Sequence, residues 1–228
     1  MTAGEVSVSA SVYANFSALY GVLRLQPNDR LTNELTIMKI LTGMILAACL
    51  LPCMSRAAEL NLATLSCARY ENEVLPAAAS SQTADSINTV MWLFGYSVAR
   101  SGAHLMYPEA LTAFGYALDG ECKSNPIESL LDALAIVKPE AKNPMDLSAL
   151  ECATFASRHV ELARTDLESA NTIMMWLFGF SVARSDSHIF DADSLGAFQT
   201  ALLADCAKHP KLALFDALGS VKPTKSAK

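Results

Sequence analysis

The stretch Met-Trp-Leu-Phe-Gly-Tyr-Ser-Val-Ala-Arg-Ser at residues 91–101 occurs twice in this chain. The second copy, at residues 175–185, differs in a single position, with Phe180 where the first has Tyr96. The copies lie 84 positions apart, and other landmarks keep that spacing: His104 and His188, Phe114 and Phe198, Cys122 and Cys206, Pro126 and Pro210. Cys67 and Cys152 are 85 positions apart, so one single-residue gap precedes the tryptophans. A fixed period of this length predicts two copies of one folding unit.

Each copy has the pattern of a buried helix. In repeat 1 the apolar residues that follow the three-to-four spacing of one helix face are Ile87, Val90, Met91, Phe94 and Val98. Trp92 and Leu93 widen this face until the helix is apolar almost all round, which is typical of a central helix. Asp85 or Ser86 is expected to cap its start, and Arg100 lies near its expected end.

The rest of each repeat predicts three more helices. In repeat 1 these run from Leu62 to Glu73, from Pro108 to Cys122, and from Asn125-Pro126 to about Leu134, with a loop at residues 77–84. Repeat 2 is expected to match, with helix starts at Asp191 and just before Pro210. Period-two alternation with turn dipeptides is missing, so strands are not expected. The predicted class is all-α: two similar small disulfide-linked helical domains of about four helices each, in tandem.

The N-terminal region has the order of a secretory signal peptide. Lys39 supplies a positive charge, residues 40–51 form an apolar run, and small residues surround Arg56. The run is shorter than the roughly 20 residues that span a bilayer. We therefore expect residues 1–37 to be an over-extended N-terminus and residues 38–57 a signal peptide, with Ala58 or Glu59 starting the mature chain. A genuine N-terminal extension is the alternative, and Cys49 at a lipoprotein-like site is a lesser one.

The expected organisation of the remaining chain is repeat 1 at residues 58–139, a linker at 140–146 and repeat 2 at 147–228. Once Cys49 and Cys53 leave with the signal, four cysteines remain, two in each repeat. Three pairings are possible, and the near-equal separations within the repeats favour the pairs Cys67–Cys122 and Cys152–Cys206. A four-thiolate zinc site is disfavoured because the short Cys-x-x-Cys spacing is missing. Each bridge is expected to stabilise the fold by about 4 kcal/mol.

The charge of the predicted mature chain changes sign in acid. Residues 58–228 carry 20 Asp and Glu against 13 Lys and Arg, a side-chain net charge of −7 at neutral pH. Near pH 2 the carboxylates are protonated and the histidines charged, which gives about +17. Repulsion of that size favours expansion of a small compact state. Many acidic proteins show this change in net charge, so it permits a response to acid but does not by itself indicate one. The acidity also argues against nucleic-acid binding.

Two sets of residues resemble catalytic motifs and are better explained structurally. Residues 95–99 and 179–183 read Gly-x-Ser-x-Ala, close to the Gly-x-Ser-x-Gly of hydrolases, but the serine falls inside a predicted helix instead of a strand-to-helix turn. His104 and His188 match across the repeats and follow the central helix, where a cation favours the helix dipole. Phosphate-binding loops and His-Glu-x-x-His are missing. We expect no enzyme, no cofactor and no bound metal.

The chain resembles the HdeA/HdeB family of periplasmic acid-stress chaperones. The resemblance lies in Leu-x-Cys on the first helix (residues 65–67 and 150–152), in the Trp-x-x-Gly-Tyr/Phe helix, in a second cysteine soon followed by proline, and in a closing helix with Asp-Ala-Leu (residues 130–134 and 214–218). It covers almost all of both repeats. Members of the family are mostly single units that dissociate, whereas this chain joins two units covalently.

The resemblance implies a periplasmic, ATP-independent holding chaperone whose partners are unfolded client proteins. It implies that client-binding surface comes from apolar clusters that are core at neutral pH and open in acid: Trp92, Leu93, Phe94, Trp176, Leu177 and Phe178. The repeats are expected to form an internal pseudo-dimer or a homo-oligomer, without stable membrane insertion. The alternative is a periplasmic binding module of the Tai/Rap immunity type, acting at neutral pH. That type has a cysteine where this chain has Phe94 and Phe178.

Overall fold

The structure is a computed structural model that describes residues 59–76, 83–103, 105–106, 110–137, 145–191 and 193–221. Several sequence predictions fall outside these residues. They concern the N-terminus and signal peptide up to Ala58, most of the loop at 77–84, His104, Pro108, and residues 138–144 of the linker region. They remain predictions.

The all-α class is confirmed, since the described residues form eight α-helices and four strands of two residues each. Repeat 1 contains α1 (Cys67–Arg69), continued by a π-helical turn (Tyr70–Val74), then α2 (Thr83–Arg100), α3 (Ala110–Ser124) and α4 (Leu130–Ile136). Repeat 2 contains α5 (Cys152–Thr165), α6 (Leu167–Arg184), α7 (Asp193–Lys208) and α8 (Leu214–Ser220).

Within each repeat, the start of the first helix is attached to the turn between the last two helices. The amide of Cys67 donates to the carbonyl of Glu128 at 2.8 Å, and the amide of Cys152 donates to that of Leu212 at 2.9 Å. Both predicted disulfides, Cys67–Cys122 and Cys152–Cys206, are present beside these attachments. Backbone hydrogen bonds and a covalent bridge therefore hold the same point of each repeat.

Four short strands connect the repeats, and the sequence did not predict them. They are β1 (Leu60–Asn61), β2 (Leu105–Met106), β3 (Met145–Asp146) and β4 (Ile189–Phe190). β1 of repeat 1 pairs antiparallel with β4 of repeat 2, and β3 of repeat 2 pairs antiparallel with β2 of repeat 1. Two residues are too few to display the alternation by which strands are recognised in a sequence. Met145 and Asp146, at the end of the predicted linker, form β3.

Helix ends differ from the predictions for local reasons. The first helix begins at Cys67 instead of Leu62, because Asn61 starts a turn: its carbonyl accepts the amide of Leu65 at 2.8 Å. Ser66 then caps α1 by accepting the amide of Arg69. The central helix α2 starts at Thr83, earlier than the predicted caps Asp85 and Ser86, and ends at Arg100 as predicted. The last helix of repeat 1 starts after Ser129 and continues to Ile136, two residues past the predicted end.

The buried apolar residues of both repeats form one contiguous cluster. Its centre is the contact between α2 and α6, the most extensive helix–helix contact of the described chain. The two repeats therefore share a core across their central helices.

None of the helices in the described part has the length and hydropathy needed to span a membrane.

Candidate functional site: the interface of the central helices

Helices α2 and α6 approach each other closely through two glycines. A Cβ added to Gly95 would overlap the main-chain carbonyl of Trp176, and one added to Gly179 would overlap that of Trp92. Gly95 and Gly179 occupy equivalent positions in the two repeats, as do Trp92 and Trp176. Each repeat thus gives the same residue to the same contact, which is the property of a two-fold, isologous interface.

Contacts elsewhere follow the same pseudo-two-fold relation. The pairing of Leu60 with Phe190 in one strand pair corresponds to the pairing of Met145 with Met106 in the other. Asn88 and Thr172 also occupy equivalent positions, and the Thr172 hydroxyl lies 3.3 Å from Asn88 Oδ1. Equivalent residues meet at the axis of such an arrangement, so this pair marks its location. The contacts between the two repeats therefore follow a pseudo-two-fold relation.

The six predicted client-binding residues all lie in this shared core. Each is at most 1% exposed: Trp92, Leu93, Phe94, Trp176, Leu177 and Phe178. Phe94 packs on Phe114 with ring centroids 5.2 Å apart, and Phe178 packs on Phe198 at the same distance. Trp92 instead packs on Phe190 of the other repeat, at 4.9 Å. In this state the residues are core and present no surface to a partner.

Both indole N–H groups are buried without a hydrogen-bond partner among the described residues. They belong to Trp92 and Trp176, so this feature also obeys the pseudo-symmetry. An unpaired buried donor costs about 1–3 kcal/mol relative to a solvated one. The close glycine contacts and the aromatic packing must offset this cost, so the interface combines extensive apolar burial with two unfavourable polar groups.

The single difference between the two eleven-residue copies has a structural counterpart. The hydroxyl of Tyr96 lies 2.6 Å from Nδ1 of His188, which belongs to the other repeat. Phe180, at the position equivalent to Tyr96, has no hydroxyl. Burial raises the pKa of Tyr96 to about 12, with Arg100 opposing the shift, so the phenol stays protonated and donates when Nδ1 carries no proton. His188 therefore holds a contact between the repeats.

The serines of the Gly-x-Ser-x-Ala segments lie inside helices α2 and α6 and are buried. The hydroxyl of Ser97 donates to the carbonyl of Val137 at 3.3 Å, and that of Ser181 donates to the carbonyl of Val221 at 3.0 Å. Each serine thus attaches the central helix to the residue that follows the last helix of its own repeat. This is the helix-packing position expected from the sequence.

Repeat 2 has a sharp elbow between its first two helices. A single residue, Asp166, connects α5 to α6, and its carboxylate accepts the amide of Ser169 at 3.0 Å and the hydroxyl of Ser169 at 2.6 Å. These hydrogen bonds, the side-chain one first, lower the pKa of Asp166. Asp166 is thus an N-cap of the central helix in its ionised form.

Close to this elbow lies a buried histidine that sequence reasoning missed. His159 on α5 is 4% exposed, and neither ring nitrogen has a hydrogen-bond partner in the described part of the chain. Burial lowers the pKa of His159. The backbone of Ala170 on α6 lies near the ring and opposes this lowering, although the two do not meet the geometry of a hydrogen bond. The ring packs near Phe155, with centroids 5.8 Å apart. The sequence did contain a signal for this burial, because the equivalent residue in repeat 1 is the apolar Val74.

Repeat 1 has a different titratable group, a carboxyl, in its first helical segment. Glu71 follows Tyr70 in the π-helical turn, and burial together with the neighbouring carboxylate of Asp119 raises the pKa of Glu71 to about 7. Asp119 also accepts a hydrogen bond from Lys123 at 2.6 Å. Glu71 Oε1 is buried without a donor among the described residues, and a proton shared with Asp119 would supply one. The equivalent residues of repeat 2 are Ala156, Leu203 and Ala207.

No group of His, Cys, Asp and Glu side chains in the described part of the chain is arranged to hold a metal ion. Comparisons with protein families, with curated proteins and with solved structures find no match to this chain.

Proposed function

We propose that this protein is a holding chaperone that binds acid-unfolded client proteins without ATP in the periplasm. The observation that carries the proposal is the complete burial of two aromatic clusters at an interface between covalently linked repeats. Separation of α2 from α6, together with expansion of each repeat, would expose Trp92, Leu93 and Phe94 as well as Trp176, Leu177 and Phe178. Such a surface matches the apolar segments that an unfolding client exposes.

Acid supplies the force for separation. The predicted mature chain changes from a net charge of −7 to about +17, and repulsion of that size favours an expanded state. The two indole N–H groups have no partner among the described residues, and the cost of burying them is relieved when the interface opens. His159, buried without a hydrogen-bond partner among the described residues, adds a specific group whose protonation opposes the packing of α5 against α6.

The disulfides support a reversible opening. Each one joins the first helix of a repeat to the third and closes a loop of 54 or 55 residues. They keep the apolar segments of each expanded repeat near one another, and they agree with a location in an oxidising compartment. The periplasm is the compartment that combines disulfide formation with exposure to external acid, and it matches the predicted signal peptide.

The direct test is suppression of client aggregation, followed by light scattering of an unrelated protein at pH 2.5 and at pH 7. We expect protection at pH 2.5 and none at pH 7. Leu93→Ser combined with Leu177→Ser should weaken protection, because both side chains belong to the clusters. Leu167→Ser is the matched control, since Leu167 is 61% exposed and lies outside the clusters. A lack of protection by the parent at both pH values would refute the proposal.

A second candidate function is supported by a separate observation. Three large apolar side chains of repeat 1 are exposed in the closed state: Tyr116 (70%), Ile127 (94%) and Ile136 (56%). Repeat 2 has Thr200, Lys211 and Ser220 at the equivalent positions. This difference favours a module that binds one protein at neutral pH, as an immunity protein of the Tai/Rap type does. A tight partner at pH 7 that is lost on substitution by the three repeat-2 residues would support this function.

A further inference from the structure

We propose that the two repeats open in a set order as the pH falls, with the α5–α6 elbow of repeat 2 loosening first while repeat 1 keeps its first helix packed. Helix α5 would loosen from α6 between two attached ends: the Cys152–Cys206 bridge, which holds its N-terminal end to α7, and Asp166, which connects its C-terminal end to α6. This order of opening is a property of the fold, and it does not depend on the proposed chaperone activity.

The two repeats allow a direct comparison because their central helices and disulfides are equivalent. Against that symmetry, one position of the first helical segment differs: it is His159 in repeat 2 and Val74 in repeat 1. A valine side chain has no titratable group. An imidazole buried without a partner must be solvated before it can be charged, so its protonation favours a state in which α5 has moved away from α6.

Among the described residues, no charged side chain offsets the burial of His159. Helix α5 packs against α6, α7 and α8. The described charged side chains on these elements are Glu168 and Arg184 on α6, Asp205 and Lys208 on α7, and Asp216 on α8. Helix α5 itself carries Arg158, Glu161 and Arg164. All of them are exposed or only partly buried, and the shift in the pKa of His159 arises from burial and the Ala170 backbone alone.

The direction of the effect follows from the folded-state pKa of His159, which lies below the value in an unfolded chain. Stability from the neutral ring is complete above about pH 6.5 and falls as the pH drops toward the folded-state value. Asp166 acts at lower pH: its capping contribution is present above about pH 3.8 and falls as the carboxylate is protonated. Both effects weaken the same elbow.

The first helical segment of repeat 1 responds to acid in the opposite direction, through a different position. Glu71 faces Asp119 and Lys123 on α3, and Arg69 and Glu73 lie on its own segment. The folded-state pKa of Glu71, about 7, lies above its ordinary value of 4.5. Its contribution to stability is therefore complete below about pH 4.5 and is lost as the pH rises through 7. Mild acid strengthens the first helix of repeat 1 while it weakens that of repeat 2.

The geometry also limits how far the first opening extends. Helix α5 contacts elements of its own repeat, whereas α6 is held to α2 by the reciprocal glycine contacts. A helix that packs within one repeat can open locally at a lower free energy than the core that both repeats share. The first acid-opened state would therefore expose the face of α6 near Ala170 and leave the α2–α6 interface closed.

Two-dimensional 1H–15N NMR of the full chain, recorded from pH 7 to pH 2, tests this order. We expect the amides of Phe155 and Ala170 to leave their native positions at higher pH than those of Tyr70 and Leu118. His159→Val, the repeat-1 residue, should lower the midpoint for repeat 2 by about one pH unit. His209→Gln is the matched control, because His209 is exposed in the same repeat, and it should leave that midpoint unchanged.

Coincident midpoints for the two repeats in the parent protein would overturn the proposal. So would a His159→Val protein whose repeat-2 midpoint does not move. If that variant does not fold, His159→Leu and the imidazole NMR signals of the parent take its place. We expect the His159 ring to titrate together with the loss of native repeat-2 signals. A ring that titrates while those signals stay native would equally refute the idea.

Discussion

The Cα of Gly95 lies directly against the main-chain carbonyl of Trp176. The equivalent residues, Gly179 and Trp92, meet in the same way, so the central helices approach to backbone contact at two points. Side chains larger than hydrogen do not fit between them. The closeness of the two repeats therefore depends on one residue type at one position of the repeated segment.

Gly95→Ala is expected to destabilise the protein by about 3 kcal/mol, because overpacking against rigid backbone cannot be relieved by a rotamer change. Gly179→Ala should behave alike. Gly120→Ala is the control: Gly120 lies in α3 with open space around it, and alanine there should stabilise the helix by up to about 1 kcal/mol. Urea unfolding followed by far-UV circular dichroism gives the three values. Equal stability of Gly95→Ala and the parent would mean that the helices are not in backbone contact.

The fold class and the repeat could be predicted because they rest on long, redundant patterns. The eleven-residue copies, the helical spacing around Phe94 and the near-equal cysteine separations all carry the same information, and the helices and disulfides agree with it. The strands that join the repeats could not be predicted, since a pairing such as Leu60 with Phe190 depends on where the other repeat lies. Pairing between distant segments leaves no local pattern in two residues.

The candidate site could be predicted in part. The aromatic clusters around Trp92 and Trp176 were identified as core, and they are fully buried. The burial of His159 was missed because the sequence around a single histidine does not show whether its ring faces the core or the solvent. A comparison of the two repeats position by position would have singled it out, since Val74 is its counterpart.

Tyr96→Phe is expected to lower stability by about 1 kcal/mol, because it removes the hydrogen bond to His188 between the repeats. The substitution copies the residue of repeat 2, so the core volume changes little. Tyr116→Phe serves as the control, since Tyr116 is 70% exposed. Thermal unfolding at pH 7 provides the measurement. A double-mutant cycle with His188→Gln should give a coupling free energy of similar size, and zero coupling would contradict the contact.

Asp166→Ala is expected to cost about 1 kcal/mol at pH 7, the usual value for loss of an N-cap side chain. The pKa of Asp166 is lowered in the folded state by its hydrogen bonds to Ser169. Its stabilisation is thus present above about pH 3.8 and disappears as the pH falls below the folded-state value. Urea unfolding at pH 7 and at pH 2.5 should show the variant and the parent converging in acid. A constant difference would show that the carboxylate charge is not involved.

Glu71→Gln tests the carboxyl pair of repeat 1. The amide resembles the protonated acid and removes the repulsion from Asp119, so the variant should gain stability relative to the parent as the pH rises from 5 to 8. The sign follows from the raised pKa of Glu71, about 7. Glu73→Gln is the control, because Glu73 is exposed and pairs with Arg69 at the surface. Parallel stability curves for parent and Glu71→Gln over this range would contradict a proton held by Glu71.

The two disulfides should contribute similarly to stability at neutral pH, because they close loops of 55 and 54 residues. Replacing Cys67 and Cys122 by serine, or Cys152 and Cys206, is expected to cost about 4 kcal/mol in either case. In acid, removal of both bridges should also abolish client protection more fully than removal of one, since an unbridged chain spreads its apolar segments apart. Light scattering of a client at pH 2.5 compares the three variants. If the fourfold serine variant protects as well as the parent, the bridges matter for folding at neutral pH and not for holding clients.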